Sequence, residues 1–142
     1  MLSANIKIPI FVGTNSKMKK KVVTGNTEHI LQQAVTAMQE KKAKNIVSLN
    51  LTNIQDAVTD YFLICHATSK TQINAIYDNV VEMVTKNCGE HPYHREGYEN
   101  SEWILIDYVD VVVHIFLEET RSFYNIEALW ADAKTKNYKS DE

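Results

Sequence analysis

Apolar residues recur with two different periods along this chain, and these periods predict its helices and strands. After Gly25-Asn26-Thr27 the apolar positions repeat at helical spacing, which predicts an amphipathic helix of about four turns. Ser69 and Gln72 have the spacing of a capping box before a second helix, whose apolar residues are Ile73, Ile76, Tyr77, Val80 and Val84. Gly89 is the expected end of that helix.

Alternating and continuous apolar runs predict the strands of a sheet. Residues 45–51 alternate, whereas residues 60–67 are almost entirely apolar, which is typical of a central strand covered on both faces. Residues 103–107 and 111–117 are rich in β-branched and aromatic residues and are joined by a short turn. Pro92 and Tyr93 indicate a short edge strand before them. The order strand, helix, strand implies a crossover and therefore a parallel strand pair.

The remaining segments have weaker patterns. Residues 118–130 are expected to form one more helix that covers the sheet, with Phe123, Ile126, Leu129 and Trp130 at helical spacing. Residues 1–26 are expected to be a disordered extension, whose basic cluster at residues 17–21 is either solvated or in contact with RNA. Residues 132–142 are expected to be a frayed polar tail. The chain is therefore predicted to be a single α/β domain over residues 27–131, with a mixed β-sheet flanked by helices.

Composition excludes several classes of protein. The 142 residues are 44% hydrophobic and 23% charged, which is ordinary for a folded domain and not for a disordered chain. The net charge of -3 disfavours a general nucleic-acid binder, so no DNA partner is expected. No apolar run approaches the ~20 residues that span a bilayer, so no membrane partner is expected. Two cysteines are too few for a disulfide framework and favour a cytoplasmic protein.

The charge of the predicted hairpin adds a candidate function, because every charged residue in it is acidic. These acids are Glu96, Glu99, Glu102, Asp107, Asp110, Glu118 and Glu119. Trp103 and Asp107 fall on one face of their strand, and a carboxylate there indicates that Trp103 is not deeply buried. The alternative for Trp103 is a position in the core. A Trp among acids predicts a binding surface for a basic partner. Capping of the turn by Asp107 and Asp110 is equally consistent with the pattern.

The sequence supports an enzyme less well than it supports a binding domain. Asp60, Asp107 and Asp110 could hold Mg²⁺ for nucleotidyl transfer, but the two acids of the hairpin flank a turn and need not converge. A nucleotidyltransferase-like enzyme using Asp107 and Asp110 with Mg²⁺ therefore remains the alternative to a binding domain. The favoured interpretation has no catalytic residue, metal or cofactor.

Two patterns that contain histidine could indicate a metal site or a catalytic base. Cys88, His91 and His94 follow one another at three-residue intervals and could supply ligands to zinc, but no second ligand pair accompanies them. His66 stands at the end of an apolar run. There a hydrogen-bonded structural histidine is a better interpretation than a ligand or a catalytic base.

Four blocks of sequence carry a family resemblance. In order they are D-Y-F-L-I-C-x-A-T-S at residues 60–69, H-x-E-G at 94–97, E-W-I-L-I-D-Y-x-D-V-V-V-H at 102–114 and E-E-T-R-x-F-Y-x-I-E-x-L-W at 118–130. Together they resemble the ribosomal silencing factor family, also called RsfS or Iojap-like. The resemblance extends over roughly residues 28–132.

This resemblance implies a fold similar to nucleotidyltransferases but without their catalytic residues. It implies binding to the large ribosomal subunit through large-subunit ribosomal protein fourteen, which would block subunit joining and repress translation under nutrient limitation. The family's contact residues correspond to Trp103 and Tyr108, to which the acids Glu99, Glu102, Asp107 and Asp110 would add steering charge. A homodimer through the same sheet region is a further alternative that the resemblance leaves open.

The hairpin turn departs from the family pattern. Family members usually have Gly where this chain has Val109. A turn that requires positive φ would strain a β-branched residue. The sequence therefore leaves the geometry of this turn open.

Overall fold

The computed structural model describes residues 25–140, and the predictions for residues 1–24, including the basic cluster at 17–21, lie outside them. The elements in chain order are α1 (Gly25–Glu40), β1 (Lys44–Asn50), β2 (Tyr61–Ala67), α2 (Lys70–Cys88), β3 (His94–Glu96), β4 (Trp103–Asp107), β5 (Val111–Leu117), α3 (Glu118–Tyr124), α4 (Ile126–Leu129) and β6 (Lys134–Asn137). The prediction of one α/β domain with a mixed sheet is confirmed.

The sheet has six strands in the order β3-β4-β5-β2-β1-β6. The central pair β2–β5 is parallel, with Tyr61 opposite Val111 and Ala67 opposite Leu117. The other neighbouring strands pair antiparallel. The predicted crossover is therefore present, and it carries the chain from β2 through α2 and the β3–β4 pair before β5. Strand β2 is buried along its whole length, as its apolar run predicts.

Local signals fix α2 as predicted. The Ser69 hydroxyl accepts the backbone N–H of Gln72 at 3.1 Å, and Gly89 ends the helix in the left-handed conformation with φ 70°. The Gln72 side chain does not complete the capping box. Instead its amide donates to the carbonyl oxygens of Lys41 and Lys42, each at 3.1 Å. The start of α2 is thereby tied to the end of α1.

The two faces of the sheet are covered unequally. One face packs against α1 and α2, which contribute large buried side chains such as Met38, Ile73 and Ile76. The opposite face, called here the thin-cover face, is formed by Phe62, Ile64, Trp103, Leu105, Val112 and Phe116. Its cover consists of the loop after β1 and the short segment that follows β5. The thin-cover face therefore lies closer to solvent than the helix-covered face.

The prediction of one helix over residues 118–130 is wrong. Asn125 adopts φ 45° and separates α3 from α4, so the helical period is broken at that residue. Ile126 is buried, whereas Phe123 is 59% exposed and Leu129 is 75% exposed. These two side chains therefore do not cover the sheet.

The expectation that the tail frays is also wrong for part of it. Residues Lys134–Asn137 form β6, which pairs antiparallel with β1 along Val47–Asn50. All four residues of β6 are exposed, so backbone hydrogen bonds rather than apolar burial hold this edge strand. After it, Tyr138 packs against the helix-covered core, and its hydroxyl is 3.1 Å from that of Ser48.

The hairpin turn has the strain that the sequence indicates. Val109 has φ 77°, and the N–H of Asp110 donates to the carbonyl of Tyr108 at 2.9 Å. This hydrogen bond between residues two apart, with positive φ at the centre, defines a γ-turn of the rare, strained kind. The turn is held by its neighbours, because the Val109 N–H donates to Asp107 Oδ1 at 2.7 Å and the Thr59 hydroxyl donates to the Val109 carbonyl at 2.9 Å.

Replacing Val109 with Gly should stabilise the protein. Glycine adopts positive φ without the Cβ penalty, and part of that gain is offset by greater freedom of the unfolded chain. We expect a net gain of about 1 kcal/mol, seen as a rise in Tm of about 3 °C by calorimetry. Val109→Ala keeps a Cβ and is the matched control, with a smaller rise expected. An unchanged or lower Tm for Val109→Gly would show that the turn is not strained.

Candidate functional site

The candidate surface predicted from the sequence is divided between the two ends of one strand. Trp103 begins β4, and Tyr108 follows its last residue, Asp107. Five residue steps along a strand cover about 17 Å. Trp103 belongs to the thin-cover face and Tyr108 to the helix-covered face. These two side chains therefore do not form one patch.

Trp103 is a buried residue held by its neighbours. It is only 8% exposed, and its indole N–H donates to Nδ1 of His114 at 3.0 Å. Its ring lies 4.9 Å from that of Phe116 and 5.0 Å from that of Tyr124. The expectation that Trp103 is not deeply buried is wrong. It rested on the carboxylate of Asp107 on the same face, and Asp107 is itself buried, with only 5% exposure. Truncation of Trp103 to Ala would cost roughly 3–5 kcal/mol of folding free energy. Weaker binding by this variant would therefore not distinguish a lost contact from a loss of stability.

His114 fixes the orientation of the Trp103 indole. Because its Nδ1 accepts the indole N–H, the ring proton is on Nε2, and within residues 25–140 that nitrogen has no hydrogen-bond partner. The ring of Phe62 meets it edge-on at 4.7 Å. Burial in this apolar setting lowers the pKa of His114 to about 3, so the imidazole is neutral at physiological pH.

Tyr108 is buried on the opposite face and is 6% exposed. Its hydroxyl finds no hydrogen-bond partner within the described range. Burial, with smaller contributions from Tyr77 and Cys88, raises the pKa of Tyr108. Because the Tyr108 hydroxyl is buried, a partner that docks at this end of β4 would contact the turn and not the hydroxyl.

Asp107 and Asp110 have structural roles in the turn. Asp107 caps the Val109 N–H, while Asp110 Oδ2 accepts the hydroxyl of Thr27 at 3.3 Å. The Asp110 carbonyl accepts the backbone N–H groups of Asp60 and Tyr61. These different partners support the turn-capping interpretation. Among the described residues there is no group of three or more acidic, His or Cys side chains placed to hold a metal ion.

The remaining histidine and cysteine candidates are also occupied structurally. His94 Nε2 lies 2.9 Å from Glu96 Oε2, so it faces its own strand neighbour and not Cys88. Nδ1 of His66 lies 3.1 Å from a guanidinium nitrogen of Arg121, as expected of a hydrogen-bonded structural histidine. Burial raises the pKa of the Cys65 thiol to about 12, which leaves it unreactive.

The acids of the hairpin lie mainly at the end that carries Trp103. Glu99 is exposed, and Glu102 is half-buried with a long 3.8 Å ion pair to Lys70. Their loop turns at Gly97, where φ is 83° and a Cβ would stand 1.9 Å from the Trp103 carbonyl oxygen. Only glycine allows this close approach. The same loop is tied to α2, because the Ser101 hydroxyl donates to Asn74 Oδ1 at 2.9 Å. It therefore holds Glu99 and Glu102 in the segment just before Trp103.

Sequence reasoning missed Arg121, which anchors the cover of this face. Its guanidinium donates to both carboxylate oxygens of Glu127, at 3.2 and 2.9 Å, and to the Asn45 carbonyl at 2.7 Å. With 9% exposure it is a buried, fully engaged cation. The signal was present as the Arg and Glu of the last sequence block, but their six-residue spacing matches no helical pair.

The fold and this surface define a small α/β domain with an aromatic cluster on one face of its sheet and acidic side chains in the loop before β4. The sequence pattern described as "Ribosomal silencing factor during starvation" matches residues 24–142. The chain belongs to this ribosomal silencing factor family, RsfS. None of the helices described in residues 25–140 is both long and apolar enough to cross a membrane.

Known relatives agree with this assignment. The chain is 43% identical to "Ribosomal silencing factor RsfS" of Halalkalibacterium halodurans over 78% of its own length and 92% of the relative's. It is 29% identical to mouse "Mitochondrial assembly of ribosomal large subunit protein 1" over 75% of this chain and 49% of that protein. The crystal structure of protein CV0518 from Chromobacterium violaceum superimposes with a TM-score of 0.69 at 32% identity, covering 73% of this chain and 85% of that one.

Protonation of His114 should make stability depend on pH. The unfolded chain binds a proton near pH 6.5, whereas the folded chain excludes it until the pH approaches 3. This contribution is complete above pH 6.5 and is lost as the pH falls. We expect on the order of 2–3 kcal/mol to be lost between pH 7 and pH 4.5 in urea unfolding. His114→Gln keeps an acceptor for the indole N–H but has no titrating imidazole, so its free energy of unfolding should fall less over the same pH range, by about the 2–3 kcal/mol given above. Parallel pH profiles for the variant and the unmodified protein would refute the assignment.

Proposed function

We propose that this chain binds the large ribosomal subunit and blocks its joining to the small subunit. The proposed contact on the ribosome is large-subunit ribosomal protein fourteen, and the consequence is repression of translation under nutrient limitation in the cytoplasm. Membership of the ribosomal silencing factor family supports a ribosomal target. The name of the mouse relative, which refers to assembly of the large subunit, supports that subunit as the target.

The observation that carries this proposal is the acidic end of β4. Glu99 and Glu102 lie in the loop that precedes Trp103, with Glu99 exposed and Glu102 half-buried. A ribosomal protein that contacts RNA is basic, so these acids would speed the encounter and orient it. Trp103 is buried and its indole is held by His114, so its 8% exposed edge would add only a small, rigid apolar contact.

The turn end of the hairpin supplies the second part of the proposed contact. Asp107, Tyr108 and Asp110 lie there, and the two carboxylates are committed to holding the turn. Their contribution to binding would therefore be the shape and negative field of the turn. The proposed role is binding alone, without catalysis, metal or cofactor, because those carboxylates have separate structural partners.

Reversing the two acids at the Trp103 end should weaken binding. We expect Glu99→Lys/Glu102→Lys to lower affinity for purified large subunits roughly tenfold, with a shallower salt dependence than the unmodified protein. Co-sedimentation through sucrose at two salt concentrations measures both. Glu82→Lys/Asp78→Lys, on the exposed side of α2, makes the same change of charge away from the site.

Equal losses for the two double variants would mean that only net charge matters. Unchanged co-sedimentation of Glu99→Lys/Glu102→Lys would remove this end of β4 from the contact. Failure of the unmodified protein to co-sediment would contradict the proposed function itself.

A further inference from the structure

Two large apolar side chains project from the segment that covers the thin-cover face. Phe123 is 59% exposed and Leu129 is 75% exposed, whereas Ile126 between them is buried. Elsewhere in residues 25–140 the comparable exposed residues are Tyr93 and Tyr98, next to β3. With roughly 200 Å² for a full Phe side chain, Phe123 alone presents about 120 Å² of surface to solvent. Residues 118–130, which carry both side chains, are called the cap below.

The cap is held rigidly, which makes these exposures a fixed property of the fold. The Arg121 guanidinium binds Glu127 within the cap. It also contacts the sheet side, where it donates to the Asn45 carbonyl and lies against the His66 ring. The N–H of Asn125 donates to the Arg121 carbonyl at 2.8 Å and closes α3. A surface that is ordered before binding loses less entropy when a partner docks.

The cap is continuous with the aromatic cluster around Trp103. The Tyr124 ring is 5.0 Å from that of Trp103, and the Phe123 ring meets Tyr124 edge-on at 5.0 Å. The aromatic rings thus run from buried Phe116 through Trp103 and Tyr124 to the exposed Phe123. A partner seated on Phe123 would cover the edge of this cluster as well.

The charges around the two apolar side chains are acidic. Glu119 and Phe123 are four residues apart on α3 and share a face of the helix, while Glu118 and Asp132 are also exposed. Within residues 118–133 the only cation is Arg121, which is buried and bound to Glu127. The free charge of the cap is therefore entirely negative.

We propose that the cap is a docking surface for a basic protein surface with an apolar depression, in which Phe123 and Leu129 are the anchoring side chains. This inference rests on the proposed function, since it takes the basic surface to be that of a large-subunit protein. It extends the contact beyond the residues of the hairpin. An anchor of this kind is buried at the centre of an interface and surrounded by complementary charge.

The charge of the cap decides between this partner and other occupants. A nucleic-acid backbone would place phosphates against Glu118 and Glu119, which is repulsive. A symmetric second copy would oppose the same acids to themselves, because an isologous interface pairs each patch with its own copy. A basic protein surface turns the same charges into attraction.

The test compares three forms of the full chain for binding to purified large subunits by co-sedimentation. Phe123→Ser/Leu129→Ser should bind at least about thirtyfold more weakly, the scale of interface anchors. Asp78→Ser/Glu82→Ser removes two exposed side chains of α2, away from the hairpin and the cap, and is the control, with binding unchanged. Glu119→Lys alters only charge on the cap and should bind more weakly than the unmodified protein. Thermal unfolding of each form checks that the fold persists.

Three results would overturn the docking surface. If the unmodified protein binds and the double variant binds equally well, the cap is not the contact, although the proposed function stands. If Asp78→Ser/Glu82→Ser weakens binding as much as Phe123→Ser/Leu129→Ser, the loss is not specific to the cap. If Phe123→Ser/Leu129→Ser changes only self-association in analytical ultracentrifugation, a second copy occupies the cap. Absence of binding by the unmodified protein would remove the proposed function together with this inference.

Discussion

The buried guanidinium of Arg121 is the interaction on which the thin-cover face depends. The other face of the sheet has two long helices to cover it, whereas this face has short elements with little apolar surface of their own. Arg121 attaches them by hydrogen bonds to Glu127, Asn45 and His66. Removal of one partner would leave a buried charge unpaired, which typically costs 3–5 kcal/mol. The position of Phe123 and the packing of Tyr124 on Trp103 both follow from this attachment.

Much of the fold was predictable because its signals are local. Residues close in sequence determine the N-cap of α2 at Ser69, the end of that helix at Gly89 and the apolar run of β2. Strand β6 was not predictable, because its four residues are all exposed and are held by backbone hydrogen bonds to β1. The break at Asn125 was missed for a similar reason, since a single left-handed residue leaves the apolar spacing almost unchanged.

The candidate site was predictable in its charge but not in its burial. The run of acids and the strain at Val109 were both visible in the sequence, and φ at Val109 is 77°. Burial of Trp103 depends on His114, which lies on the neighbouring strand, and on Tyr124 beyond it. Such contacts across strands have no local pattern. The hairpin is therefore in contact with the cap through the rings of Trp103 and Tyr124.

The central claim is that a chain bound to the large subunit prevents its joining to the small subunit. Light scattering of mixed ribosomal subunits, with the chain bound beforehand to the large subunit, measures joining directly. The account predicts that the extent of joining falls in proportion to the fraction of large subunits occupied. Joining at an unchanged rate and extent, with the chain shown to remain bound, would contradict it.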